Sequence, residues 1–304
     1  MRGLWYIYFS AANSNLGNQS YTPYVLRGPP TEMEPTAGSW EFMGPVKGLD
    51  SFPYAIDSTV IIIDGRHYLV FSAQSFEEPE KKDSDPDQQL FIALLSDAVT
   101  TASAPVVLCR PDRAFERSGN RGAVEAPQWL ESPDSRWRGL VYSCGASWTK
   151  DYKMNTLRFL GGNPLDPKSW QKSDVPLLQS ATRGPYGPGH GCFLNFNDST
   201  IAFFHAMEHE NDGPAGAKCR VQRVRWTADG PCMDGVVGPV MRNMDLFTTL
   251  GTGVKDDVSN HAVQTGNSYV PMDVAQAIAG AAGTRATPPN TWPNYLWSLY
   301  SAVV

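Results

Sequence analysis

One phrase recurs four times along the chain, at intervals of roughly 60 residues. It reads Trp5-Tyr6-Ile7-Tyr8-Phe9-Ser10-Ala11, then Tyr68-Leu69-Val70-Phe71-Ser72-Ala73, then Leu140-Val141-Tyr142-Ser143-Cys144-Gly145, then Ile201-Ala202-Phe203-Phe204-His205-Ala206. Each copy is a β-branched and aromatic run that closes on small residues. A second strand and a turn precede three of them: residues 57–63 with Asp64-Gly65, 126–130 with Pro133-Asp134, and 192–196 with Asn197-Asp198. Strand, turn, strand and small exit is a hairpin unit. Third strands are expected at 24–26, 89–93, 155–159 and 220–224, and outer strands at 40–42, 105–108 and 170–172. Four short strands per repeat of this length match propeller blades. A sandwich also has many short strands, but it does not repeat one phrase so regularly. The count is a late part of one blade and three fuller blades before about residue 240.

From Met244 the style changes. Residues 272–282 are Ala-rich and predict a short helix; 284–293 are rich in Thr, Pro and Asn; 295–300 are aromatic. The expected division is a β-propeller domain over 1–243 and a C-terminal extension over 244–304. For the extension, a closing strand, a linker into a further module and an artefact of gene prediction all stay open.

Composition narrows the partners. The 304 residues carry a formal net charge of −6. The mixed-sign patch from Glu77 to Asp87 reads as an exposed loop. A basic stripe is absent from the sequence, so nucleic acid is not an expected partner. The sequence also lacks an apolar run of about 18 residues, so no membrane span is expected. The 27 Gly and 24 Pro mean many turns. The 9 Trp and 12 Tyr suit a sugar site, where C–H faces stack on rings, and equally suit core packing. The 5 cysteines show no CxxC spacing, so zinc is not expected, and most read as small buried hydrophobes. No signal peptide precedes the Leu4 strand. The expectation is a secreted protein if a leader stands upstream, and a cytoplasmic one if Met1 is the true start. Glycosylation-type triplets occur at Asn18-Gln19-Ser20 and Asn197-Asp198-Ser199.

Two acids stand out. Glu125 lies in Val124-Glu125-Ala126-Pro127-Gln128-Trp129-Leu130, apolar company that disfavours its charged form. Asp57 lies in Tyr54-Ala55-Ile56-Asp57-Ser58-Thr59-Val60-Ile61. Each is expected just before a β-hairpin of the same type. A lone Glu before a strand is commonly a solvated loop residue; two acids at equivalent places in repeated units suggest acid chemistry at the centre of a ring.

These segments, with Gln89-Leu90-Phe91-Ile92-Ala93, Tyr142-Ser143-Cys144-Gly145-Ala146-Ser147-Trp148-Thr149-Lys150-Asp151-Tyr152, Gly184-Pro185-Tyr186-Gly187-Pro188-Gly189-His190 and the stretch from Arg220 to Gly230, resemble in order the motifs of glycoside hydrolase family 43. The resemblance covers about residues 4–240 and is strongest toward exo-acting, arabinan-cleaving α-L-arabinofuranosidases. It implies an all-β, five-bladed β-propeller that hydrolyses arabinose- or xylose-containing glycans with inversion. It makes Glu125 the general acid and Asp57 the acid that orients it and tunes its pKa. It places His190 on the propeller axis beneath the sugar, where a calcium ion or a water is held; no other cofactor is implied. Arg220 either reaches the substrate or forms a salt bridge in the core, and Trp148 is a sugar platform or ordinary packing. The family's general base is an Asp on a strand before the one that opens here, and no Asp precedes Asp50. The expectation is therefore a propeller with its first blade truncated. Two alternatives follow: a non-catalytic glycan-binding propeller that has lost its base, and a propeller used for protein interaction.

Overall fold

A computed structural model of the chain describes residues 3–12, 20–74, 86–118, 121–196, 199–236 and 301–303. Four antiparallel sheets follow one another along the sequence. The first holds β1 (Leu4–Ala11), β2 (Thr22–Pro30) and β3 (Glu41–Pro45). The second holds β4 (Ala55–Ile63), β5 (Arg66–Gln74) and β6 (Gln88–Asp97), with β7 (Thr100–Thr101) and β8 (Val106–Cys109) on the outside of β6. A small ribbon, β9 (Arg117–Ser118) with β10 (Arg121–Gly122), leads into the third sheet. That sheet holds β11 (Val124–Glu131), β12 (Arg138–Cys144), β13 (Lys153–Phe159), β14 (Trp170–Lys172) and β15 (Leu178–Gln179). The fourth holds β16 (Tyr186–Phe196), β17 (Ser199–Met207), β18 (Ala217–Thr227) and β19 (Gly230–Cys232). β20 (Gly235–Val236) returns to pair in parallel with β15, and β21 (Ser301–Val303) pairs antiparallel with β1.

The sheets stack face to face as four blades of a propeller. The packing explains the sequence. The run Tyr68-Leu69-Val70-Phe71 shows no polar alternation because both faces of the second sheet are covered. Tyr68 and Val70 enter the core shared with the third sheet, beside Leu140, Tyr142 and Leu157. Leu69 and Phe71 enter the core shared with the first, beside Tyr8 and Val25. A further core, with Val141 and Met154 against Ala202 and Phe204, joins the third and fourth sheets. Strands buried on both faces read as continuous apolar runs. The strands β4, β11 and β16 open their sheets, and β11 packs against both of the others, so they form the inner wall.

Several expectations change. The acids do not precede their hairpins: Asp57 lies within β4 and Glu125 within β11, because both strands run on through an irregularity. Of the cysteines only Cys109 and Cys144 are buried; Cys192 and Cys219 are exposed and Cys232 is intermediate. Asp87 is not a solvated loop residue. Its carboxylate takes Arg117 in a two-pronged pair, both contacts 3.0 Å, and accepts from the Gly122 N–H at 2.8 Å. The rest of that patch up to residue 85, the asparagines of both triplets and the Ala-rich helix over 272–282 lie outside the described residues.

Candidate active site

Three inner strands break register at the same place. The shift falls between Ile56 and Thr59 in β4, between Glu125 and Gln128 in β11, and between Gly189 and Cys192 in β16. Each bulge contains one non-glycine residue at positive φ: Asp57 at 55°, Ala126 at 52° and His190 at 51°. Bulges end regular pairing and re-aim side chains, and they gather beside active sites. Asp and His tolerate the left-handed region better than most residues. Ala126 does not, and such a conformer costs of order 1 kcal/mol or more. Pro127, which has no N–H to give a ladder, sits where the ladder is interrupted. Matched by their bulges, Asp57, Ala126 and His190 are equivalent, and Glu125 stands one residue earlier.

The bulges bring the acids together. Asp57 Oδ2 accepts from the backbone N–H of Ala126 at 3.1 Å, next to Glu125. Glu125 Oε1 accepts from the Tyr152 hydroxyl at 2.6 Å, and Oε2 accepts from Gln88 Nε2 at 2.9 Å. Gln88 Nε2 also donates to Ser72 Oγ at 2.9 Å, and Ser72 Oγ donates to the Val124 carbonyl at 2.8 Å. The His190 backbone N–H donates to Ser143 Oγ at 2.7 Å. The Tyr152 ring stacks on His205, with centroids 5.5 Å apart and planes 10° from parallel. Gly189 is required here, because a Cβ on it would lie 1.9 Å from the Tyr152 ring.

The electrostatics follow from this crowding. Burial pushes Asp57 up from 3.8 to about 6, against the opposing Ala126 N–H. Burial, and then the Asp57 charge, raise Glu125 above the ordinary carboxylate range; Tyr152, His190 and Gln88 oppose the rise. Both residues keep partial access to solvent. Two such carboxyls titrate as a pair, and like-charge repulsion keeps a proton on the pair toward neutral pH. Burial lowers the pKa of His190, against the pull of Glu125, and takes His205 down to about 4, so both imidazoles are neutral near pH 7. Tyr54 lies in the field of both acids: burial, then Glu125 and Asp57, raise its pKa, with Arg121 opposing.

Trp148 and Arg220 make no hydrogen bond to these groups among the described residues. Trp148 is 58% exposed on the turn after β12. Arg220 is 7% exposed on β18, two strands out from β16, and its Nε has no hydrogen-bond partner among the described residues. Among the described residues no group of three or more His, Cys, Asp or Glu is placed to hold a metal. Two cavities lie elsewhere, at the outer edges between sheets: one of about 410 Å³ beside Trp137 and Asp229, one of about 530 Å³ beside Leu108 and Trp170. Sequence reasoning gave no role to Gln88, Ser143, Tyr152 or His205. Tyr152 and Ser143 stood inside a quoted motif, but which residues reach an acid from another blade is set by sheet packing.

Two carboxyls of raised pKa thus sit on adjoining bulges of a four-bladed propeller. The family model for glycosyl hydrolases family 43 matches residues 1–232, and the chain belongs to that family. It is 28% identical over 277 residues to alpha-L-arabinofuranosidase B of Pyricularia oryzae, covering 86% of this chain and 53% of that protein. It is also 28% identical over 251 residues to an extracellular exo-alpha-(1->5)-L-arabinofuranosidase of Streptomyces avermitilis, covering 77% and 49%. The chain thus spans about half the length of these relatives. The crystal structure of alpha-L-arabinofuranosidase from Lactobacillus brevis shares the fold, with a TM-score of 0.64 and 24% identity over 79% of this chain and 74% of that one.

Proposed function

We propose that the protein is a glycoside hydrolase that removes terminal α-L-arabinofuranosyl or β-D-xylosyl residues from plant cell-wall glycans. The observation that carries this reading is the pair Asp57 and Glu125 on matched bulges, both with raised pKa. A general acid needs its proton at working pH, and burial beside a like charge provides that. Glu125 protonates the glycosidic oxygen as the bond to the anomeric carbon breaks. Asp57 keeps that proton on Glu125, and His190 faces the same space as a neutral hydrogen-bonding group. Trp148 offers an exposed ring for a sugar face, and the unpaired Nε of Arg220 suits a sugar hydroxyl. The relatives named for arabinofuranosidase activity support the substrate class. The same reading takes the ring as five-bladed, since apolar residues stay open on the first and fourth sheets: Phe42 is 60% and Leu194 46% exposed.

One observation favours a second reading, a propeller that binds glycans without cleaving them. Inversion needs a base about 6.5–9.5 Å from the acid to activate water. The edge of β1 away from β2 pairs with Ser301-Ala302-Val303, which carries no carboxylate. Incubation with α-1,5-linked arabino-oligosaccharides separates the two. Arabinose release with inverted anomeric configuration, abolished by Glu125→Gln, supports the hydrolase. Binding without release supports the second reading. Neither binding nor release would sink both.

A further inference from the structure

The second sheet holds the segment that leads into Glu125 residue by residue. Asp87 stands just before β6, and its Oδ1 accepts from the Gly122 N–H at 2.8 Å. The next residue, Gln88, bridges Ala123 in parallel through the backbone. Ser72 on β5 donates its hydroxyl hydrogen to the Val124 carbonyl at 2.8 Å. Gln88 Nε2 donates to Glu125 Oε2 and to Ser72 Oγ, both at 2.9 Å, so both amide hydrogens are used and the amide is fixed in direction. Four consecutive residues, Gly122 to Glu125, are thus held by Asp87, Gln88 and Ser72 of the neighbouring blade. Gln88 and Ser72 are buried, so water does not compete for their bonds. Asp87 is itself fixed from the other side. Arg117 on β9 meets it fork on fork, both contacts 3.0 Å, and Arg117 Nη1 also donates to the Pro111 carbonyl at 3.2 Å. Two-pronged pairs of this kind fix geometry as well as adding attraction. Gly122 leaves room for the pair, because a Cβ on it would lie 2.7 Å from Arg117 Nη1.

Resting on the reading of Glu125 as the proton donor, we propose that Asp87 and Gln88 are its positioning residues: Gln88 sets where the carboxyl stands, and Asp87, clamped by Arg117, holds the backbone behind it. A proton donor works only within hydrogen-bond reach of the oxygen it protonates. The register of β11 breaks between Glu125 and Gln128, so the regular ladder to β12 ends at the acid itself. A side chain on such a bulge needs support from outside its own ladder to keep a productive geometry. The second sheet supplies that support from Gln88 at the start of β6, and Asp87 acts through the Gly122 backbone and through Gln88 beside it. The charged patch that ends at Asp87 thus ends in a structural latch for the acid.

The test is carboxyl NMR on the full chain labelled with ¹³C-glutamate, with the Glu125 signal assigned by its loss in Glu125→Gln. The other groups facing Glu125 are Tyr152 ahead of β13, Asp57 on β4, His190 on β16 and Tyr54 ahead of β4, with Arg121 on β10 and His205 on β17 behind them; none is altered. Gln88→Leu removes a donor to the carboxylate and should raise the Glu125 midpoint by about one unit, a tenfold change in proton affinity. Asp87→Ala should raise it by about half a unit, and Asp87→Asn, which keeps an acceptor for the Gly122 N–H, by less. The sign separates positioning from charge. Removing the Asp87 carboxylate and leaving the Arg117 cation unpaired lowers the midpoint of a nearby acid by charge alone. In the Gln88→Leu chain, Asp87→Ala should add little, because the donor it positions is gone. A tie that only joins two blades would change the melt and leave the midpoint where it is. If the wild-type midpoint is raised, and Gln88→Leu leaves it in place or Asp87→Ala leaves it in place or lowers it, this inference fails alone. If Asp87→Ala does not fold, Asp87→Asn is read for the same sign. If the wild-type midpoint is that of an ordinary glutamate, the general-acid reading fails, and this inference with it.

Discussion

Replacing Asp57 by Asn should make the protein more stable at neutral pH and leave it nearly unchanged in acid. The folded chain raises the pKa of Asp57 from 3.8 to about 6. A carboxyl with a raised folded pKa favours the fold while protonated. That contribution is complete below about pH 4 and is lost as pH rises through about 6. That rise, at 1.36 kcal/mol per pH unit, sets an upper bound of about 3 kcal/mol. Partial solvent access lowers the expected gain to about 2 kcal/mol. At roughly 2–4 °C per kcal/mol for a chain of this size, Tm should rise by about 4–8 °C. Asn is the suitable probe. It keeps an acceptor for the Ala126 N–H and tolerates the left-handed conformation at φ 55°. Thermal melts at pH 4, 6 and 8 read the difference between variant and wild type. The reasoning predicts a gain near zero at pH 4 that grows through pH 6 and levels above it. A loss of stability of equal size at all three values would show that Asp57 is a structural hydrogen-bonding residue and that its charge is not strained.

Other perturbations reach separate parts of the account. Lys172→Met should lower Tm by roughly 10 °C, because Glu116 is fully buried and would lose its cation; a thermal melt checks it. Gly189→Ala should cost about 1–3 kcal/mol in urea titration, since the new methyl group must displace the Tyr152 ring. Trp148→Ala should weaken oligosaccharide binding several-fold in calorimetry with the melt unchanged, because the ring is mostly exposed.

The repeat was legible because the second and third blades are buried on both faces. Tyr68-Leu69-Val70-Phe71 serves two cores at once, so its apolar run is uninterrupted and its next copy easy to find. The outer strands were legible for a related reason: Trp170 closes a blade edge by packing on Phe159. The acids stood out through their apolar company, but their conformation did not. Pro127 inside a strand was the local sign of a bulge in β11, and Asp57 has no such sign beside it. The partners of Glu125 come from β6 and from the turn before β13, brought in by blade packing that one-dimensional pattern does not carry. The cysteines failed for the opposite reason. A position in a strand reads as buried only if both faces of the sheet are covered, and Cys192 and Cys219 lie on a face of the fourth sheet that stays open.

The most direct test of the central claim is a crystal structure of Glu125→Gln soaked with an arabino-oligosaccharide. The account predicts the terminal sugar on the inner wall between β4, β11 and β16. Its glycosidic oxygen should lie within hydrogen-bond distance, about 3 Å, of the side chain at position 125. A sugar bound only in the outer cavity beside Trp137, or with its glycosidic bond turned away from position 125, would contradict the assignment of Glu125 as the proton donor.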